Sequence, residues 1–271
     1  MPIRTPPRKT KSRWQIRMTN DSNTLKAALR QRIVTDRLLG ISSLPIPRDV
    51  LGRIRSAFAP KRGGANPEEK ATRLKLLDDG HVKNCTRCTL SDTRTQTVFG
   101  QGNPAARLVF VGEAPGFEED KQGLAFVGRA GQLLTRMIVA MGLSRDDVFI
   151  CNVLKCRPPG NRDPSADEIL ACRGYLSRQL EIIEPEILVA LGSPAAKTLL
   201  NTALSIGKLR GEFHDYFLSG VPGEGPSIPL MPTYHPAYLL RNPAEKGKVW
   251  EDLQAVMARL GLKPQKKTPS R

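Results

Sequence analysis

No stretch of the 271-residue chain approaches the roughly twenty consecutive apolar residues that a membrane-spanning helix needs, so a helical membrane protein is not expected. The N-terminus is basic but has no apolar core of a secretory signal. Its opening, "MPIRTPPRKTKSRWQIR", is rich in arginine and poor in acid, as a transit peptide would be, yet reads more simply as a solvated basic tail. Cysteine is scarce: five residues, without an export signal, argue against a disulfide scaffold and leave metal or cluster binding as the better use. Acidic residues are in deficit, 26 against 42 Lys and Arg, for a formal charge of +16. Neither G-x4-G-K-[ST] nor G-x-G-x-x-G occurs, which excludes the two common phosphate-cradling loops.

The excess charge is unevenly spread. Residues 1–75 hold 18 basic and 5 acidic residues, whereas the remainder hold 24 and 21. The basicity therefore belongs mainly to an N-terminal extension, 1–66, of a kind often attracted to nucleic acid or to a protein partner. Its first 23 residues have little to bury. "TLKAALRQRIVTDRLLG" has helical spacing, and the Pro/Gly-rich stretch after it reads as linker. "KPQKKTPSR" ends the chain as a second basic tail, 263–271.

Between them, residues 67–262 read as one α/β domain. A helix is expected over about 67–82, with Pro67 at its start and Glu68 and Glu69 near its positive end. From about residue 106, strands and helices alternate: "ARLVFVG", "DVFICNVLKC", "PEILVALG" and "SIPLMPTYHP" as strands, with helical segments between and after them. Continuous apolar strands joined by helices predict a three-layer αβα sandwich around a mainly four-stranded parallel sheet. In such sheets the site lies beyond the C-terminal strand ends. Three of those ends carry "GEAPG", "CNVLKC" and "HPAYLL" and should converge.

The turn after the first of these strands gathers Glu113, Glu118, Glu119 and Asp120. Pro115 offers it no N–H. Four acids make an anion an unsuitable guest, while an ordered water or a developing positive charge suits them. Cys85 and Cys88 form a C-x2-C pair in a polar context, and Cys156 and Cys172 follow, with fifteen residues between them. Four thiolates in two groups suit a tetrahedral zinc or a cubane iron–sulfur cluster, and ligand type alone does not separate these. Cys151, mid-strand, reads as a small buried hydrophobe.

Taken singly, these residues have ordinary structural readings: a strand-end His235, a turn-capping Asn152, a core Phe126, a solvated Glu118. Together, "GEAPGFEED", "FVGRAGQLL", "CNVLKCRPPGNRDP", "HPAYLL" and the cysteine spacing resemble the family 4, iron–sulfur uracil-DNA glycosylases, over about residues 75–260. Ala125 stands where that family usually has proline. The histidine-bearing basic insert of the branch that crosslinks to its product is absent, so covalent trapping is not implied.

The resemblance implies a monofunctional DNA-repair hydrolase. It would flip uracil from DNA, hydrolyse the N-glycosidic bond and leave an abasic site; the alternative is a DNA-binding module that kept only the fold. It implies Glu113, Asn152 and His235 as catalytic residues. The uracil pocket would comprise Ala114, Gly116, Glu119, Asp120, Phe126 and Asn152, with Phe126 stacking on the base. Ala114 occupies a position that is aspartate in the best-known branch, so the usual general base is missing. Leu239 would be the wedge, flanked by Tyr238 and Leu240; Arg129, Arg157, Arg162 and Arg241 would meet phosphates. Cys85, Cys88, Cys156 and Cys172 would bind a [4Fe-4S] cluster, with zinc as the alternative. A monomer in the cytoplasm, associated with the nucleoid, is the accompanying expectation.

Overall fold

The computed structural model describes residues 65–219, 223 and 225–263. The readings made for residues 1–64 and for the C-terminal tail beyond 263 fall outside the described residues. Those described belong to one compact unit, Gly64–Arg271.

The first helix, α1 (Pro67–Leu77), starts where expected. Asn66 caps it by accepting from the Glu69 N–H, and Pro67 fills a first-turn position that has no N–H to satisfy. It runs into a wider π turn, Asp78–Val82, and then the segment bearing Cys85 and Cys88. The sheet has six strands: β1 (Gln101–Gly102), β2 (Leu108–Gly112), β3 (Phe149–Asn152), β4 (Ile187–Leu191), β5 (His214–Phe217) and β6 (Ser227–Thr233), in the order β1-β3-β2-β4-β6-β5. The inner four are parallel, and a short antiparallel strand closes each edge. The expectation of four parallel strands thus holds for the centre and misses both edges.

β2 and β4 are buried along their whole length because helices cover both faces. Alternation along each strand divides the core. Leu108, Phe110, Ile187, Val189 and Met231 pack on one face with α3 (Arg129–Ala140), α7 (Pro236–Arg241) and α8 (Lys246–Leu260). Val109, Val111, Leu188, Ala190 and Leu230 pack on the other with α1, α4 (Ala166–Ile183), α5 (Ser193–Leu200) and the short α6 (Ile206–Leu209). Helix α4 opens on a full capping box, Ser165 with Glu168. A third, smaller cluster gathers Val82, Leu90, Leu154 and Tyr175 around Cys156 and Cys172.

Candidate active site and thiol cradle

All four parallel strands end at the same rim. In register, Gly112 of β2 lies beside Asn152 of β3, and Leu191 of β4 beside Thr233 of β6. The residues that follow these ends, with the loop before α3, enclose a cavity of about 720 Å³. Glu113, Ala114, Gly116, Glu119, Phe126, Asn152, Arg162, His235 and Arg241 all line it, so three segments far apart in sequence share one chamber. Asp163, Gly192, Ser193 and Tyr234 line it too and escaped the sequence reading. Gly192 and Ser193 carried a signal, since they follow β4, the third of the parallel strands.

Asn152 sits at the floor, almost wholly buried, and its Oδ1 has no hydrogen-bond partner. A buried acceptor left unpaired costs about 1–3 kcal/mol, so this atom marks a place where a donor is missing. Gly112 makes room for it: a Cβ there would stand 2.4 Å from Asn152 Oδ1 and 2.6 Å from Phe126 Cζ.

His235 caps the N-terminus of α7. Its Nδ1 accepts from the Ala237 N–H at 3.1 Å, so the proton of the neutral ring resides on Nε2. Desolvation, then the nearby Arg241 charge, lower its pKa to about 4, against a smaller opposing pull from Glu119. The imidazole is therefore a neutral Nε2–H donor at physiological pH. The Phe126 ring lies 5.7 Å from it, inclined by 35°. Gly192 has φ +91°, and a Cβ at that position would press on His235 Cβ at 2.9 Å.

Glu113 is half-buried, and its pKa is raised to about 7, first by desolvation and then by the Asp163 charge. The remaining acids of the same turn do other work. Phe117–Gln122 form a short helix, α2, with Glu118, Glu119 and Asp120 in its first turn, where the helix dipole favours acids. Glu119 Oε1 accepts from the N–H groups of Val127 and Gly128 at 2.9 and 3.0 Å. Asp120 is buried and accepts from the Thr95 N–H. It does not reach the cavity, which corrects its assignment to the base pocket. Its position one residue past Glu119 turns it around the helix toward the 93–96 segment.

Leu239 requires a second correction. It is 1% exposed and belongs to the core against α3, because α7 is a helix and the fourth residue after His235 faces inward. It cannot enter a base step from there. Tyr238, half-buried, lines the cavity and stacks near Tyr234 with ring centroids 5.0 Å apart. Among the arginines, Arg129, Arg162 and Arg241 are exposed and Arg157 is half-buried. Arg162 is held by a two-pronged pair with Glu168 at 2.6 and 2.9 Å, and Arg157 packs over Phe117 at 5.1 Å while bonding Asn161.

Cys156 and Cys172 are buried, and Cys85 and Cys88 pack against the same cluster, so two pairs 68 residues apart at their nearest members meet. All four are free thiols. Two of the sulfurs already receive donors: Lys155 N to Cys172 Sγ at 3.3 Å and Arg94 Nη1 to Cys156 Sγ at 3.2 Å. Among the described residues no three His, Cys, Asp or Glu side chains form a group set to hold a metal ion. Cys151 is fully buried in the core cluster with Val109, Val111 and Leu176 and is not part of the four-thiol cluster.

A family model described as the uracil DNA glycosylase superfamily matches residues 99–254. The chain is 47% identical over 196 residues to the type-4 uracil-DNA glycosylase of Saccharolobus solfataricus, covering 70% of this chain and 88% of that protein. It is 46% identical over 188 residues to the type-4 enzyme of Thermotoga maritima, covering 68% and 94%. With a type-5 uracil-DNA glycosylase of Pyrobaculum aerophilum the identity is 32% over 153 residues, covering 51% and 64%.

Proposed function

From the premise that this chain belongs to the type-4 uracil-DNA glycosylases of the uracil-DNA glycosylase superfamily, we propose that its cavity takes a uracil turned out of DNA and that the enzyme hydrolyses the bond joining that base to deoxyribose. Water supplies the hydroxyl at C1′, a proton ends on the departing base, and the backbone stays intact at an abasic site.

Asn152 carries the reading. Its unpaired Oδ1 accepts from the N3–H of uracil, and its Nδ2 donates to O4. Cytosine presents the opposite pattern and would leave both groups unpaired. Phe126 stacks on the ring. The Nε2–H of His235 meets O2, where negative charge gathers as the bond stretches; a neutral donor held in place suits that task without a proton transfer. Glu113 faces the sugar side, and in its ionised form it favours the oxocarbenium character of C1′ and orders the attacking water. Ala114 supplies no carboxylate beside it, so Glu113 acts without an aspartate partner in that motif.

Tyr238 takes the wedge position assigned from sequence to Leu239. Arg129 and Arg241 meet phosphates from the rim, with Arg157 beside Phe117. The four thiols suit a [4Fe-4S] cluster. Donors already aimed at two of the sulfurs offset part of the burial that pushes the Cys156 and Cys172 thiols up. The same four thiols would also suit a single zinc, and the resemblance to the type-4 enzymes favours the cluster. When bound, the cluster would supply a crosslink between the segment before β1 and the segments after β3.

The direct test is a uracil-containing oligonucleotide incubated with the full chain and then alkali. Cleavage at the uracil, with free uracil released, is expected; an intact strand refutes the proposal. Brown protein absorbing near about 400 nm supports the cluster, and colourless protein carrying zinc refutes it.

A further inference from the structure

Phe126 has a backbone that a phenylalanine does not adopt unaided: φ is +54°, in the left-handed region. Helix α3 packs directly on its peptide, since a Cβ on Gly131 would lie 1.9 Å from the Phe126 carbonyl oxygen. On the N–H side of the loop, Glu119 holds Val127 and Gly128. On the carbonyl side stands Arg145, a half-buried residue from the turn between α3 and β3. Its Nη2 donates to Ala125 O at 2.8 Å, and its Nη1 to Phe126 O and Thr135 Oγ1 at 3.2 Å each. The turn carrying it is itself fixed, because Asp147 Oδ2 accepts from both the N–H and the hydroxyl of Ser144 at 2.7 Å.

We infer that Arg145 is a positioning residue for base recognition: its guanidinium locks the Ala125–Phe126 carbonyls and so keeps the Phe126 ring at the angle that stacks on the flipped base beside His235. The planar fork reaches two adjacent carbonyls and a hydroxyl at once, which one ammonium cannot reproduce. Arg145 does not line the cavity and acts only through Phe126. The inference rests on Phe126 being the stacking residue of the proposed uracil site.

A double-mutant cycle tests it. The full-length proteins are wild type, Arg145→Ala, Phe126→Ala and the double variant, with single-turnover uracil release and thermal melting measured for each. Loss of charged hydrogen bonds of this kind predicts that Arg145→Ala lowers kcat/KM by about tenfold to a hundredfold. In the Phe126→Ala background the same change is expected to have almost no further effect, while affinity for uracil-free DNA stays unchanged. Arg145→Lys should recover only part of the loss. If Arg145→Ala does not fold, Arg145→Gln takes its place in the cycle. Penalties that multiply in the double variant, or full activity of a folded Arg145 variant, overturn the inference. Absence of uracil release by the wild type refutes the underlying reading instead.

Discussion

The most informative single change is Glu113→Gln, which removes a charge and almost nothing else. Displacement of the carboxyl from its ordinary 4.5 to about 7 corresponds to about 3 kcal/mol. The group is open to solvent on one side, and screening reduces this to about 1–2 kcal/mol. The sign follows from the protons bound. Below pH 4.5 both folded and unfolded chains hold the proton, and the ionisation contributes nothing. Between 4.5 and about 7 the unfolded chain releases it while the folded one retains it, so the wild type loses stability as pH rises; above 7 the loss is complete. Glu113→Gln should therefore match the wild type near pH 4.5 and exceed it by about 1–2 kcal/mol at pH 8, roughly 2–8 °C in melting temperature.

Activity should move the opposite way. If the carboxylate is the working form, wild-type kcat/KM for uracil release rises about tenfold per pH unit up to about 7 and then levels. The glutamine variant should be flat with pH and about 10²–10⁴-fold slower at pH 8. Melting curves and single-turnover excision across pH 5–9 supply both readouts. A variant that is less stable than wild type at pH 8, or a wild-type rate that ignores pH across that window, refutes the reasoning.

Other outcomes follow from the same geometry. His235→Ala should lower kcat by about 10²–10³-fold with little change in DNA affinity, and the Glu113→Gln profile should show no residual ionisation near 6.5, because the His235 ring pKa is lowered to about 4 by burial. Gly192→Ala should cost stability and at least tenfold in kcat, since φ +91° strains the backbone and the new methyl displaces His235; chemical denaturation and steady-state kinetics measure the two losses. Leu239→Ala should destabilise the fold by about 2–5 kcal/mol in a denaturant titration, whereas Tyr238→Ala should slow excision from duplex more than from single-stranded DNA. Cys172→Ser should abolish absorbance near about 400 nm without altering Glu113 or His235.

The parallel centre was legible because β2 and β4 are apolar without interruption, and the convergence of strand ends followed from topology. The edge strands were not: β1 has two residues, and "HDYF" of β5 shows no apolar run, since each is held by pairing with one neighbour. Motif context named Asn152, Phe126, His235 and Glu113, and all four line the cavity at the strand ends. The wedge was misplaced because an apolar side chain near a site looks the same whether it faces core or rim; only the helical turn of α7 decides. The acidic cluster misled in another way. Glu119 and Asp120 were assigned to the base pocket, yet both accept backbone N–H groups, and it is Glu113 whose carboxyl burial pushes up to about 7. Arg145, nineteen residues from the carbonyl it holds, carries no local signal at all.

The tie between Glu119 and the Val127–Gly128 peptide also sets a limit on how the chain can change length. Surface connections commonly accept added or lost residues, but the segment from Gly116 to Gly131 is a closed strap, buckled by one carboxylate and braced by one guanidinium. A residue inserted there would unbuckle it and swing the aromatic ring away from the histidine. An affinity tag or reporter placed in this stretch should silence the enzyme even if the protein folds, while one placed at the exposed Asn201–Ser205 connection after α5 should leave it working.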